Sequence, residues 1–314
     1  MKDIRIVFMG TPDFAVTILK KLIDTNYNVV GVITAPDKPA GRGRKLNQSA
    51  VKKYASTLNI PILQPTNLKS EDFINDLKAL NANLQIVVAF RMLPTIVWKM
   101  PEYGTFNLHA SLLPEYRGAA PINWAIINGE KKTGVTTFFI DDKIDTGEII
   151  LKSEIDIKED EIVGDLHDRL MYLGADLVTK TVDLIASDEV ATSKQPELEE
   201  KAAPKLYPHN CKIDWSQSLS DIYNHIRGLN PYPAAWTTIK NGDEEITAKI
   251  YGVSKEVINH NLNTGTIVTS KKELKVAVKD GYLIINEIKL SGKKLLDIPS
   301  LLNGFTFEKE AMML

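Results

Sequence analysis

This sequence of 314 residues has one cysteine, no long apolar run and a small net charge. A single cysteine, Cys211, excludes an internal disulfide and cannot start a zinc site built on paired thiols, which fits a reducing cytoplasm. The longest apolar runs, residues 4–10 and 86–90, are far shorter than the roughly 20 residues that span a bilayer. The N-terminus also lacks the pattern of a secretory signal. We therefore expect a cytoplasmic protein without a membrane segment.

The net charge of −2 excludes a surface that is basic as a whole. A nucleic-acid partner would therefore have to be bound by local basic patches. Residues 35–53 contain six basic residues and one acidic residue, and residues 271–294 contain seven basic and three acidic residues. Each patch alone is typical of a solvated face, but their joint occurrence keeps a nucleic-acid partner under consideration.

Strand-like and helix-like segments alternate in the first half of the chain. Residues 4–8 form a β-branched apolar run, and residues 29–34 and 84–90 have the same character, whereas residues 71–80 have helical spacing. This alternation predicts an α/β, Rossmann-like domain with a parallel sheet. In such sheets the functional residues lie beyond the carboxyl ends of the strands.

The length predicts two domains, since one domain usually has roughly 100 to 200 residues. A long amphipathic helix over residues 162–186 ends the first domain, which we place at residues 1–188. The polar segment 189–207 has the composition of a linker. Residues 208–314 are predicted to form a smaller all-β, OB-like domain of about five strands. These strands are expected at residues 236–239, 247–253, 265–268, 274–278 and 282–290.

Two glycine-containing loops lack the features of nucleotide sites. The turn at residues 10–14 has one glycine where a dinucleotide fingerprint has three, which disfavours NAD. Residues 41–45 lack the Lys-Ser/Thr pair of a phosphate loop. We interpret them as a mobile basic loop whose Arg42 and Arg44 can bind phosphates, with an ordinary exposed loop as the alternative.

No histidine, cysteine or acidic group shows metal-ligand spacing, so no metal is expected.

Asn107 and His109 are the first candidates for catalysis. On a strand, residues two apart project from the same face, so the amide and the imidazole converge at a strand end. An amide donor beside an imidazole suits a developing oxyanion, as in acyl transfer. A lone histidine is more often structural, and His109 stands out because Asn107 shares its face. Asp145, in an Asp-Thr-Gly turn, is explained equally well by turn chemistry.

Taken together, the segments Phe-Asn-Leu-His (106–109), Ser-Leu-Leu-Pro (111–114) and Asp-Thr-Gly (145–147) resemble the signature of formyltransferases that use 10-formyltetrahydrofolate. Residues 116–124 and 229–236 resemble the members of this family that act on methionyl-tRNA, as do residues 10–15 and 38–43. The resemblance covers nearly the whole chain. Two positions depart from the usual pattern: Phe90-Arg91 stands where a Tyr-Gly pair is usual, and Lys143 where glycine is common.

The resemblance implies three groups of functional residues. The implied catalytic residues are Asn107, His109 and Asp145. The residues implied to line the folate pocket are Ser111, Leu112, Leu113 and Pro114. The residues implied to bind tRNA are Arg42, Arg44 and Lys45.

The resemblance also implies the reaction. The formyl donor is 10-formyltetrahydrofolate, and the acceptor is the α-amine of initiator methionyl-tRNA, which attacks the formyl carbon directly without a metal. Asn107 and protonated His109 stabilise the oxyanion, while Asp145 orients His109 and helps to move the amine proton. The alternatives are a formyltransferase acting on an amino sugar, a tRNA-binding module without activity, and a dehydrogenase. We expect a monomer.

Overall fold

The structure, a computed structural model, describes residues 2–40, 45–196 and 201–314. It divides into two compact units. The first unit comprises Met1–Gly118, Thr133–Ile155 and His167–Ala202. The second unit comprises Ala119–Lys132, Asp156–Leu166 and Ala203–Leu314. The chain therefore enters the second unit twice before residue 203. The domain boundaries at residues 188 and 208 stay predictions, because the units group residues by proximity.

The first part of the chain alternates strands with helices. Its strands are β1 (Arg5–Gly10), β2 (Asn28–Ile33), β3 (Lys38–Ala40), β4 (Lys45–Asn47), β5 (Ile62–Leu63), β6 (Leu84–Val88), β7 (Thr105–His109), β8 (Lys132–Phe139) and β9 (Ile149–Asp156). Its helices are α1 (Asp13–Asp24), α2 (Ala50–Ala55), α3 (Glu71–Ala79), α4 (Thr95–Trp98), α5 (Pro121–Ile127) and α6 (Val163–Ser187).

Seven of these strands form one sheet in the order β5-β2-β1-β6-β7-β8-β9. The strands β5, β2, β1, β6 and β7 are parallel to one another, and β8 pairs antiparallel with β7. Strands β3 and β4 form a separate antiparallel pair. The predicted Rossmann-like parallel sheet is therefore confirmed, with an antiparallel addition at one side.

Strand β1 shows why the sheet forms here. Its residues Ile6, Val7, Phe8 and Met9 are all fully buried, as expected for a parallel strand covered on both faces. The turn into α1 is tight, since a Cβ on Gly10 would lie 2.5 Å from the Cβ of Ala15. The single glycine of this turn thus allows close packing of strand and helix.

The second unit contains the remaining strands and two more helices. The strands are β10 (Ala235–Asn241), β11 (Glu244–Ile250), β12 (Val253–Glu256), β13 (Ile267–Thr269), β14 (Leu274–Val278), β15 (Gly281–Ile285), β16 (Glu287–Leu290), β17 (Leu296–Asp297) and β18 (Met312–Met313). The helices are α7 (Leu219–Leu229) and α8 (Ile298–Leu302), and a short 3-10 helix covers Pro208–Cys211.

These strands form two antiparallel sheets, ordered β17-β16-β11-β10-β18 and β12-β15-β14-β13. The predicted all-β C-terminal domain is confirmed, but the number of strands is larger than the five expected. Two predicted strands, 247–253 and 282–290, each bend and contribute to both sheets. The bends are joined by a hydrogen bond from the amide of Asn286 to the carbonyl of Gly252 at 2.8 Å. Alternation of apolar residues continues through such a bend, so it does not reveal the break.

Among the described residues, no helix is long and apolar enough to span a membrane.

The close contact of β8 with β9 generates a prediction at Gly134. A Cβ there would lie 2.1 Å from the carbonyl oxygen of Ser153 and 2.6 Å from a methyl group of Leu112. Overpacking of this kind costs about 1 to 3 kcal/mol. Gly134→Ala should lower the free energy of unfolding by that amount in urea denaturation. The control is Gly304→Ala, because a Cβ at Gly304 meets nothing within 4 Å. Equal unfolding midpoints for the two variants would contradict the contact.

Candidate active site

Strand β7 places Asn107 and His109 on one face of the sheet. The intervening Leu108 points the other way, where its side chain lies 2.7 Å from the position that a Cβ on Gly174 of α6 would occupy. Asn107 is half-buried, and His109 is only 6% exposed. Because His109 is the last residue of β7, its ring lies at the carboxyl end of the strand, where sites in α/β sheets are found.

Two oxygens face the ring of His109. Its Nε2 donates to the carbonyl oxygen of Tyr116 at 2.9 Å, and its Nδ1 lies 3.7 Å from Oδ2 of Asp145. The second distance is longer than a hydrogen bond, so the two atoms face each other closely without a formed bond. The structure therefore brings His109 and Asp145 together. Nε2 is committed to the backbone, and Nδ1 is the nitrogen that faces the carboxylate.

Asp145 lies in the turn between β8 and β9 with its backbone in the left-handed region, at φ 55°. This conformation costs most residues about 1 to 2 kcal/mol, although Asp is among those that tolerate it. Its Oδ2 accepts the amide of Gly118 at 3.0 Å. Among the described residues none bonds to Oδ1, and the side chain is 14% exposed. One oxygen of the carboxylate is thus fixed by a backbone amide.

Two side chains hold the carbonyl oxygen of Asp145. Nε of Arg117 and Nε2 of Gln195 both donate to it at 2.9 Å. Gln195 Nε2 also donates to the carbonyl of Gly147 at 2.8 Å. Oε1 of Gln195 in turn accepts from Nε of Arg117 at 3.1 Å and from its Nη2 at 2.6 Å. The catalytic candidate is therefore fixed at its backbone as well as at its side chain.

The segment from Ser111 to Pro114 packs against the sheet. Ser111 and Leu113 are fully buried, Pro114 is buried and Leu112 is half-buried. Oγ of Ser111 donates to the carbonyl of Glu115 at 2.6 Å, so its hydroxyl is already used. The peptide bond between Leu113 and Pro114 is cis. That this segment lines the folate pocket stays a prediction.

The same segment is tied to two neighbouring strands. Oγ1 of Thr136 on β8 donates to the carbonyl of Ser111 at 2.7 Å and accepts the amide of Leu113 at 3.2 Å. Nζ of Lys152 on β9 donates to the carbonyl of Leu113. Burial lowers the pKa of Lys152. Side chains from both strands therefore fix the backbone that follows β7.

A cavity of about 510 Å³ lies beside the Asp145 turn. It is lined by Phe139, Ile140, Asp141, Thr146, Gly147, Glu148, Lys194 and Gln195. Its volume lies within the range of roughly 300 to 1,000 Å³ that small-molecule sites occupy. Among the described residues that line it, none belongs to the Ser111–Pro114 segment.

The predicted tRNA loop lies mostly outside the described residues, which include neither Arg42 nor Arg44. Lys45 begins β4. The chain just before β3 is anchored, because Nζ of Lys52 lies 2.5 Å from Oδ2 of Asp37 and Nε2 of Gln64 donates to its Oδ1 at 2.8 Å. The hydrogen bonds from Gln64 and Lys52 lower the pKa of Asp37.

The two departures from the family pattern also have places in the structure. The guanidinium of Arg91 donates to the carbonyl of Thr66 at 3.1 Å and to that of Pro65. The amide of Lys143 donates to Oδ1 of Asp141 at 2.9 Å, inside the turn that carries Asp145.

Within the part of the chain that the structure describes, no group of three or more His, Cys, Asp or Glu residues could hold a metal ion.

Sequence reasoning missed the residues that hold Asp145 and His109. Tyr116 and Gly118 act through backbone atoms, and their only sequence signal was the motif that contains them. Gln195 lies in the polar segment predicted as a linker, where nothing in the sequence marks it. Arg117 was part of a quoted motif but had no role assigned to it.

Comparison with known families covers both units. The formyl transferase model matches residues 4–182, and the model of the formyl transferase C-terminal domain matches residues 205–306. The chain belongs to the formyl transferase family. The family predicted from the residues around Asn107 and Asp145 is thereby confirmed.

Relatives of similar length are known. The methionyl-tRNA formyltransferase of Flavobacterium johnsoniae is 59% identical over 99% of this chain and 99% of its own. That of Flavobacterium psychrophilum is 57% identical over 100% of both chains. Among solved structures, the sugar 3N-formyl transferase WlaRD has a TM-score of 0.65 at 22% identity, covering 94% of this chain and 100% of its own. This last likeness concerns the fold alone.

The substitution Asp145→Asn tests the charge of the Asp145 carboxylate separately from the backbone conformation of the turn. In Asp145→Asn the side chain still tolerates the left-handed conformation and still accepts the amide of Gly118, but the negative charge opposite His109 is lost. We expect the thermal unfolding midpoint to stay near that of the wild type, and formyl transfer to fall about 10²- to 10⁴-fold, as for loss of a general acid or base. Single-turnover kinetics and thermal unfolding measure the two quantities. Turnover near wild type would contradict a role for the carboxylate.

Proposed function

We propose that this chain transfers the formyl group of 10-formyltetrahydrofolate to the α-amine of initiator methionyl-tRNA. The observation that carries the proposal is the identity of 59% along nearly the whole chain to a protein named for this activity. The proximity of His109 and Asp145 also supports the proposed acyl-transfer chemistry. Such an enzyme works where translation begins, in the cytoplasm, and we expect it to act as a single chain.

The reaction exchanges one C–N bond for another. The neutral amine attacks the formyl carbon, whose carbonyl oxygen becomes an oxyanion, and the bond from carbon to N10 of the folate then breaks. The amine loses one proton and N10 gains one, so the balance requires no metal and no oxidant. The protein has to stabilise the oxyanion and to carry the proton.

Asn107 and His109 are the proposed oxyanion donors. The Asn107 side chain is half-buried on the face of β7 that also carries His109, and an amide donor aimed at the formyl oxygen can stabilise the developing oxyanion. Nε2 of His109 is bound to the carbonyl of Tyr116, so Nδ1 is the nitrogen through which this ring serves the reacting centre.

Asp145 is the proposed proton acceptor and orienting group. Its Oδ2 lies 3.7 Å from Nδ1 of His109 and is held in place by the amide of Gly118. A proton released by the amine can pass to this pair directly or through one water molecule. We expect the folate along the segment Ser111–Pro114 of the first unit, as the family resemblance implies; other residues line the cavity of about 510 Å³ beside the Asp145 turn.

The second unit carries lysines suited to an RNA partner. Lys249 on β11 lies directly opposite Lys289 on β16, and both are exposed. Like charges in such a pair are unfavourable unless an anion lies nearby. On the other side of Lys249 lies Trp236, over which Nζ of Lys212 sits at 5.7 Å from the ring centroid. This row of cations and one aromatic ring is well matched to a phosphate backbone.

A direct assay tests the proposal. The protein is incubated with 10-formyltetrahydrofolate and methionyl-tRNA, and formylmethionine is detected after mild hydrolysis of the ester. A parallel reaction offers amino-sugar nucleotides. We expect product with the tRNA only, at a rate that falls as salt rises, since phosphate contacts release counterions. Product with an amino sugar and none with the tRNA would overturn the proposed acceptor.

Asn107→Ala tests the oxyanion donor. Loss of one such donor commonly lowers kcat by about 10²- to 10³-fold, and we expect a fall of that size with KM for both substrates nearly unchanged. The matched control is Asn59→Ala, at an exposed asparagine in a turn of the first unit. If Asn107→Ala retained the turnover of Asn59→Ala, Asn107 would have no part in catalysis.

A further inference from the structure

The turn that carries Asp145 needs support, because its left-handed backbone at φ 55° is unfavourable for a residue with a side chain. The amide of Gly118 holds the carboxylate, but that bond alone leaves the peptide plane free to rotate. The conformation persists only if groups outside the turn also fix its backbone. Groups that bind the carbonyl oxygens of the turn can supply this support.

Gln195 is the centre of that support. Its side-chain amide donates to two carbonyl oxygens of the turn, those of Asp145 at 2.9 Å and Gly147 at 2.8 Å. A single planar group thus sets the relative orientation of the residues on both sides of Thr146. The hydrogen bonds of Gln195 to the described residues go to these carbonyls and to Arg117.

Arg117 orients Gln195. Its Nη2 donates to Oε1 of Gln195 at 2.6 Å, and its Nε is shared between that oxygen at 3.1 Å and the carbonyl of Asp145 at 2.9 Å. This guanidinium fixes which end of the Gln195 amide points to the turn, since the oxygen must face the cation and the NH₂ group the carbonyls. Arg117 also directly precedes Gly118, whose amide holds the carboxylate of Asp145.

The chain brings Gln195 to the turn by pairing with β9. Ser193 and Ile149 exchange two backbone hydrogen bonds, at 2.8 Å and 2.9 Å. The segment after α6 is therefore seated beside the first residue of β9, and Gln195 follows two residues later on the same side. A segment whose composition suggests a linker thus contributes a side chain to the turn that carries Asp145.

We infer that Gln195, oriented by Arg117, is a positioning residue that holds Asp145 in the left-handed conformation which aims its carboxylate at His109. The inference rests on the proposed function, since it concerns how the catalytic pair is kept in place. Both residues bind the backbone of the turn through its carbonyl oxygens.

The sharpest variant is Gln195→Glu. A carboxylate keeps the size of the side chain and its partnership with Arg117, but it has no N–H to donate and turns an oxygen towards two carbonyls. We expect kcat to fall about 10- to 100-fold, the effect of a displacement on the order of 1 Å. KM for both substrates should stay within about twofold of wild type, and the pH profile of kcat should shift because the carboxylate of Asp145 moves relative to His109.

A double-mutant cycle distinguishes positioning from general damage to the fold. In the Asp145→Asn background the carboxylate is already absent, so adding Gln195→Glu should lower single-turnover rates by less than about threefold. The control is Gln217→Glu, the same change at an exposed glutamine of the second unit, which should leave activity unchanged. An equal loss from Gln195→Glu in both backgrounds, or a loss confined to KM, would overturn the inference.

A measurement without catalysis keeps this test separate from that of the proposed function. Hydrogen–deuterium exchange in the peptide covering residues 141–148 should be faster in Gln195→Glu than in wild type and unchanged in Gln217→Glu. If wild type made no formylmethionyl-tRNA, the proposed function would fail while the exchange data still decided the support of the turn. Equal exchange in wild type and Gln195→Glu would refute that support.

Discussion

The register of β7 against its two neighbours is the constraint on which the candidate site depends. Asn107 pairs with Val87 of β6 on one side and with Phe138 of β8 on the other. A slip of one residue would turn Asn107 and His109 to the opposite face and expose Leu108, which packs on α6. Burial of Leu108 therefore keeps the two polar side chains on the face where they converge. The site is specified by an apolar residue that takes no part in its chemistry.

Because β8 runs antiparallel to β7, it ends at the far end of the sheet from His109. Phe139, the last residue of β8, lies beside Phe106 and not beside His109. The chain must therefore return towards His109 before Asp145 can approach the ring, and it does so through a left-handed residue at a cost of about 1 to 2 kcal/mol. Three hydrogen bonds to Asp145, each with a net contribution of about 0.5 to 1.5 kcal/mol, are enough to offset that cost.

The sequence predicted the structure correctly where the spacing of apolar residues indicates which side chains are buried. The apolar runs that became β1, β2 and β6 were found because a parallel sheet buries both faces of a strand. The shared face of Asn107 and His109 follows from the period of two. Asp145 could not be found in this way, because its turn residues are equally common in turns without function. Gln195 could not be found either, since it binds backbone carbonyls, which every sequence presents.

The carbonyl of Tyr116 determines how His109 can handle a proton. Because this oxygen accepts from Nε2, a ring with a single proton carries it on Nε2 and directs the lone pair of Nδ1 at the carboxylate of Asp145. Both atoms of that pair are then acceptors, 3.7 Å apart, and nothing bonds one to the other. One proton on Nδ1 satisfies both acceptors, and it gives the protonated ring that the proposed stabilisation of the oxyanion requires. The backbone oxygen of Tyr116 thus leaves Nδ1 as the nitrogen of His109 that would take part in the proposed proton transfer.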